Sequence, residues 1–256
     1  MISIPEQADQ PDYRSSPPPL GRPARGRGAL RRLKAFERIS PVAGTRLLDV
    51  GCGNGLYTRE MAPHFSEVAA IDVATEHIAD FRRQGVPDNV SVHDISATRM
   101  PWPDGHFDTA TAIEVLEHID GLSVGLLEIR RVLAPGGRFF VSVPNRLHPI
   151  ETHSLHVGDK YIPGKRIPFL PWVPPLHDRW SDVRTFTLRT LTAVLVEAGF
   201  VVSHAEYVMP PFDHWQAGAR FLRPLTDQLE AGPLGRFGVS LLVCAIKPSY
   251  PLNGEP

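Results

Sequence analysis

Cysteine, net charge and long apolar runs are all scarce in this chain of 256 residues. Two cysteines, Cys52 and Cys244, cannot build a disulfide framework, and no cysteine spacing of the zinc-site kind occurs. The 27 Lys and Arg residues face 28 Asp and Glu, a formal net charge of −1. That balance argues against a nucleic-acid binder that works through a strongly basic domain. The longest apolar runs, such as VSLLVCAI at 239–246, fall far short of the roughly 20 residues a membrane-spanning helix needs. The first thirty residues lack the apolar stretch of a signal peptide. A cytoplasmic protein is the expectation, and 42% hydrophobic residues are enough for a sizeable core.

What the chain has in excess is proline, 26 residues, and it is unevenly placed. Six fall within 33–143 and twenty outside, so regular structure is expected in the middle and irregular chain around it. Residues 1–32 hold six prolines and few large apolar side chains, the composition of a disordered N-terminal tail with a basic end.

From residue 46 short apolar runs alternate with helical patterns. Strands are predicted at 46–50, 67–72, 90–94, 107–113 and 138–143, with helices over 54–65, 75–84 and 123–133, the last ended by PGG. Such alternation implies a doubly wound α/β architecture with a parallel sheet covered on both faces. Residues 144–184 break the pattern with seven prolines and four histidines, as a functional loop or lid does. A helix at 188–198 and strands at 200–208 and 239–246 complete the reading. Between those strands, Trp215, Phe221, Leu222, Leu225 and Leu229 recur at helical spacing.

The chemistry concentrates in LLDVGCGNG at 47–55. Gly51, Gly53 and Gly55 remove side chains where a strand turns into a helix, which lets a ligand approach the backbone. The spacing is G-x-G-x-G, whereas a nicotinamide-dinucleotide loop reads G-x-G-x-x-G. Asp49 lies inside the first strand, where its carboxylate needs a partner such as a cationic amine. Asp72 ends the second strand, placed to accept from ribose hydroxyls, and Asp94 ends the third, placed to accept from an adenine amino group. Three acidic strand ends in succession lie along one edge of the sheet.

With AAIDVA, VHDIS, MPWPDGHFDTATAIEVLEHI and RRVLAPGGRFFVSVPN, this motif resembles the class I S-adenosylmethionine-dependent methyltransferases. The resemblance runs from about Thr45 to Val143. It implies a Rossmann-like seven-stranded sheet with an antiparallel last strand. It also implies S-adenosylmethionine as cofactor: Asp49 and the glycines at the methionine part, Asp72 at the ribose, Asp94 with Ile95 at the adenine, and Ile113 and Glu114 near the sulfonium. Residues 33–256 then form the methyltransferase domain, with insertions at 144–184 and 209–236 as acceptor pocket or lid.

An oxygen acceptor must lose a proton, and a histidine near neutral pKa suits that task. His118 in EVLEHI and His153 beyond the fifth strand are the candidate catalytic bases, with His148 and His156 on the same loop. Glu114, Glu117 and His118 also resemble a stretch assigned to metal binding in quinone O-methyltransferases, and Glu151, His153 and His156 could make another set. Carboxylates at helix starts commonly serve as dipole partners, so no metal is assigned. The expected activity is methyl transfer, at oxygen, to a small-molecule or lipid-linked acceptor, with peripheral membrane contact hinted by PFLPWVPPLHDRW. A non-catalytic cofactor-binding regulator and an NAD-dependent oxidoreductase are the rival readings.

Overall fold

The computed structural model describes residues 27–158, 160–209, 228 and 232–250. Seven strands form one sheet: β1 (Arg46–Val50), β2 (Glu67–Asp72), β3 (Val90–Asp94), β4 (Phe107–Ile113), β5 (Leu133–Pro144), β8 (Val201–Val208) and β9 (Ser240–Ile246). Their order is β3-β2-β1-β4-β5-β9-β8. The first five run parallel, and β9 pairs antiparallel with both β5 and β8. This is the doubly wound sheet that the alternating pattern predicts. A separate hairpin joins β6 (Ser154–Val157) to β7 (Lys160–Pro163).

Period-two alternation along the strands feeds two cores. Leu48, Val50, Phe139, Val141, Leu241 and Val243 face one side, packing with α4 (Leu122–Val132) and α6 (Leu188–Glu197). Leu47, Phe140, Leu242 and Cys244 face the other, packing with α1 (Arg27–Ile39), α2 (Leu56–Met61) and α3 (Thr75–Gln84). Strands buried on both faces explain why β1 and β4 read as nearly continuous apolar runs.

Several boundaries differ from expectation. Residues 27–32, expected in the tail, are helical: α1 is amphipathic, and its Ala35 and Phe36 are fully buried, with Phe36 edge-on to Phe140. The basic run belongs to that helix, and its Arg32 turns inward to Glu114, so composition alone mistook it for tail. The predicted helix at 54–65 is shorter, because Pro63 converts its end to a 3-10 turn over Ala62–His64. β5 starts at Leu133, before PGG, with an irregular register opposite Phe107 and Thr109.

Residues 144–184 hold more structure than their prolines suggest. Besides the hairpin, α5 (Pro174–Trp180) begins with two prolines at the positions where a missing N–H costs nothing. The insertion at 209–236 and its aromatic stripe lie mostly outside the described residues, as do residues 1–26.

Candidate active site

The carboxyl ends of β1 to β4 meet in one cleft, lined among others by Gly51, Asp72, Ile95, Val115 and His118. Parallel strands put the first turn after each strand at the same edge, so residues far apart in sequence converge there.

The three glycines of the loop do different work. All have positive φ, 69° at Gly51, 53° at Gly53 and 78° at Gly55. A Cβ on Gly51 would lie 2.2 Å from Val115 Cγ2, and one on Gly55 2.3 Å from the Phe81 ring. Those two positions are glycine because protein packs against them. A Cβ on Gly53 would meet nothing within 4 Å, so space is left there for something other than protein.

Asp72 organises this loop. Its Oδ2 accepts the Gly53 N–H at 2.8 Å and its Oδ1 the Ala74 N–H at 2.8 Å. Each oxygen keeps a lone pair for a ligand hydroxyl. Asp49 lies deeper, its two oxygens accepting from Thr58 Oγ1 at 2.6 Å and Thr111 Oγ1 at 2.8 Å. The partners of Asp49 are thus hydroxyls of the chain itself. Burial raises its pKa to about 6, against the pull of those hydroxyls.

Ile95 borders the cleft, with its N–H bonded to the Asp72 carbonyl at 3.2 Å. Asp94 stands at the exposed edge and accepts from Thr75 Oγ1 at 2.9 Å. The Ile113 side chain packs in the core. Glu114 has φ 56°, one of two non-glycine residues with positive φ among those described. Its strained backbone is fixed by Ser142, whose carbonyl takes the Glu114 N–H at 2.8 Å and whose hydroxyl donates to Oε1 at 2.5 Å.

Sequence reasoning missed Arg32. Its guanidinium lies 3.6 Å from Glu114 Oε1 and donates to Tyr57 Oη at 3.3 Å and Ser240 Oγ at 3.0 Å. The signal was hidden because the residue had been placed in the tail.

The other end of the cleft is built by EVLEHI and the hairpin region. His118 is buried at the cleft wall, and burial, with His153 beside it, lowers its pKa to about 4. Its ring lies 5.6 Å from that of His153, centroid to centroid. Glu117 is fully buried, and neither carboxylate oxygen accepts a hydrogen bond from another described residue. Burial first, and then Glu114, raises its pKa well above the carboxylate range. Ligand-capable atoms of Glu117, His118 and His153 all lie within 4.8 Å of one another.

Behind His153 stands Glu151, 2% exposed, whose Oε1 accepts the His153 N–H at 2.8 Å and faces Nδ1 at 3.2 Å. Its Oε2 lies 2.7 Å from Nε2 of the fully buried His177. Burial opposes ionisation of Glu151, but these hydrogen bonds hold its carboxyl below the usual range. His156 points elsewhere, 3.1 Å from Asp182, so the set Glu151, His153 and His156 does not assemble. His148 is bound through Nδ1 to the Phe237 carbonyl at 2.9 Å.

Comparisons with known proteins agree with this geometry. A family model described as a methyltransferase domain matches residues 48–141. The ubiquinone biosynthesis O-methyltransferase of Xylella fastidiosa is 31% identical over 228 residues, covering 86% of this chain and 81% of that protein. Its namesake from Xanthomonas oryzae pv. oryzae is 38% identical over 128 residues, covering 47% of this chain and 52% of that protein. The chain thus spans about half the length of the Xanthomonas relatives it matches.

Among solved structures, an S-adenosylmethionine-dependent methyltransferase from Mesorhizobium loti superposes with a TM-score of 0.59 at 21% identity, covering 84% of this chain and 97% of that one. The [4+2]-cyclase SpnF superposes with a TM-score of 0.57 at 23% identity, covering 86% of this chain and 82% of that one. Those likenesses carry the fold alone. With the Xylella relative, matched over 81% of its length, the family model, the glycine loop and the strand order place the chain: it belongs to the class I S-adenosylmethionine-dependent methyltransferases.

Proposed function

We propose that the protein transfers a methyl group from S-adenosylmethionine to a hydroxyl of a small, apolar acceptor. The observation that carries this reading is the open space at Gly53 beside the Asp72 carboxylate, where a Cβ would meet nothing of the protein within 4 Å. Gly51 and Gly53 would admit the amino-acid part of the cofactor, Asp72 the ribose, and Asp94 with Ile95 the adenine. Asp49 fixes the turn through Thr58 and Thr111, and Arg32 supplies a buried positive charge suited to a carboxylate. Ile113 and Glu114 end β4 at the reacting end of the cleft.

The bound cofactor supplies an activated methyl group on its sulfonium. What the chain must add is alignment and exclusion of water, which can be worth roughly 7–11 kcal/mol. His118 and His153 converge where the acceptor oxygen would stand and favour its ionised form.

We further infer that the acceptor is a hydroxylated ring with an apolar or lipid tail, a reading supported by relatives named for O-methylation in ubiquinone biosynthesis. Support comes from the surface beside the hairpin, where the tilted rings of Phe169 and Trp172 lie 5.0 Å apart and Ile150, Val173 and Leu234 are exposed. A peripheral position on the cytoplasmic face of a membrane fits this surface. No helix among the described residues is long and apolar enough to cross a membrane, and both cysteines are free and buried. Incubation of the chain with methyl-labelled cofactor and a lipid extract should give a labelled product soluble in organic solvent. Cofactor binding with no labelled product in any fraction would favour the regulatory reading.

A further inference from the structure

We propose that Glu151 is a positioning residue: it holds His153 with Nδ1–H turned inward and the Nε2 lone pair outward, so that His153 rather than His118 takes the acceptor proton. This rests on the methyl-transfer reading above and assigns its proton step to one side chain.

The Glu151 carboxylate is buried in the inserted segment and fully engaged there. Its Oε1 accepts the His153 backbone N–H at 2.8 Å and faces Nδ1 of the same residue at 3.2 Å. Its Oε2 lies 2.7 Å from Nε2 of His177, a fully buried residue of α5. Burial opposes ionisation, but these bonds hold the carboxyl below the usual range. An ionised carboxylate only accepts, so the two imidazole nitrogens that face it carry protons. Thr152 Oγ1, 3.3 Å from His153 Nδ1, can accept as well.

The tautomer of His153 follows. With Nδ1 protonated, the neutral ring has its lone pair on Nε2. That nitrogen makes no hydrogen bond to another described residue, and Glu117 Oε1 at 4.0 Å is beyond reach. The His153 side chain is 21% exposed, so a ligand can touch it. His118 offers less. It is 8% exposed, and burial, then His153, lower its pKa to about 4, which makes it a weak base at neutral pH.

The ring is fixed from several sides. Glu151 and His153 belong to the loop after β5, and His177 reaches them from α5. At the end of the hairpin, a Cβ on Gly164 would fall 2.5 Å from Glu151 Cγ and closer still to the His153 carbonyl oxygen. A base of this kind gains from a third group that sets its tautomer and stabilises the imidazolium. In the step itself, the acceptor O–H bond breaks and its proton passes to Nε2. The oxygen pair forms the bond to the methyl carbon, and sulfur keeps the pair of the bond that breaks. The imidazolium then faces the Glu151 carboxylate and returns its extra proton to water.

The test has two readouts. In intact chain carrying ring-¹⁵N histidine, long-range ¹H–¹⁵N spectra report which nitrogen holds the proton, and His153→Gln identifies the His153 signals. Wild type should show His153 protonated at Nδ1 and bare at Nε2 above neutral pH. Glu151→Gln should move both signals toward a mixture of tautomers. It should leave S-adenosylhomocysteine affinity unchanged, because Glu151 lies outside the cleft lining. The second readout is labelled product from methyl-labelled cofactor and lipid extract. His153→Gln should lower the maximal rate about 10²–10⁴-fold, and Glu151→Gln at least about tenfold. The KM for S-adenosylmethionine should stay as in wild type for both, and His118→Gln should lose less than His153→Gln. Wild-type His153 protonated at Nε2 would overturn the proposal, whether or not Glu151→Gln folds. So would an unchanged tautomer or an unchanged rate in a Glu151→Gln chain that binds S-adenosylhomocysteine. Wild type that binds S-adenosylhomocysteine and yields no labelled product would sink the methyl-transfer reading, and the base with it.

Discussion

The two ends of the cleft are held by different means. At the cofactor end the polar groups already have partners: Asp72 takes two backbone N–H groups and Asp49 two hydroxyls. At the acceptor end Glu117 has none from another described residue, and a chain of histidines and a second glutamate is arranged around it. A finished hydrogen-bond network fixes one shape before any ligand arrives. A buried glutamate without such partners leaves its network unfinished. The contrast supports the proposal that the first region binds and the second carries the chemistry.

Removing the anchor of the cofactor end tests it most severely. Asp72→Ala deletes two charge-assisted bonds, one to Gly53 of the loop and one to Ala74 of its own turn, each worth about 1.5–3 kcal/mol. S-adenosylhomocysteine affinity measured by calorimetry should fall at least about 100-fold, with no comparable loss in Glu151→Gln.

The glycines separate packing from binding. Gly51→Ala forces a Cβ against Val115 and should cost about 2–4 kcal/mol of stability in urea unfolding. Gly53→Ala meets no neighbour and should cost only about 1 kcal/mol, from its positive φ. Its cofactor affinity should nevertheless fall further than its stability. Equal behaviour of the two variants would dissolve the distinction between wall and cradle.

Asp49 adds a pH signature. Its folded pKa of about 6 lies above the usual carboxylate value, so ionising it destabilises the fold. That penalty is absent below about pH 4 and complete above about pH 6. Asp49→Asn should therefore raise stability at pH 7.5 by on the order of 2 kcal/mol and lose its advantage as pH falls toward 4. Thermal melts across that range check the sign.

The smallest effect belongs to the rim of the acceptor end. Trp172 is 46% exposed, and Trp172→Ala should change stability by less than about 1 kcal/mol. Co-sedimentation with anionic lipid vesicles should drop several-fold. Unchanged sedimentation would remove the membrane-facing role from this patch.

The same contrast governs what could be read from sequence. Residues 67–72, 75–84, 90–94 and 107–113 were found with the predicted bounds, because their periodicity is local and their ends carry turn residues. The place of Asp72 at a strand end was legible for that reason. Arg32 was not, since its role depends on Glu114, Tyr57 and Ser240, which the fold alone brings to it. Glu151 and His177 are 26 positions apart, and nothing periodic links them. The prolines of 144–184 suggested irregular chain, yet Pro174 and Pro175 start a helix whose His177 is fully buried. His153 and His118 were legible as residue types, but only the hairpin region's approach to EVLEHI shows that they meet.

The central claim is that the cofactor end is ready to receive S-adenosylmethionine. Isothermal titration of the wild-type chain with S-adenosylhomocysteine tests it most directly. One molecule bound per chain, with affinity lost in Asp72→Ala, is the predicted result. Absence of binding heat at several temperatures, with the chain folded by circular dichroism, would contradict it.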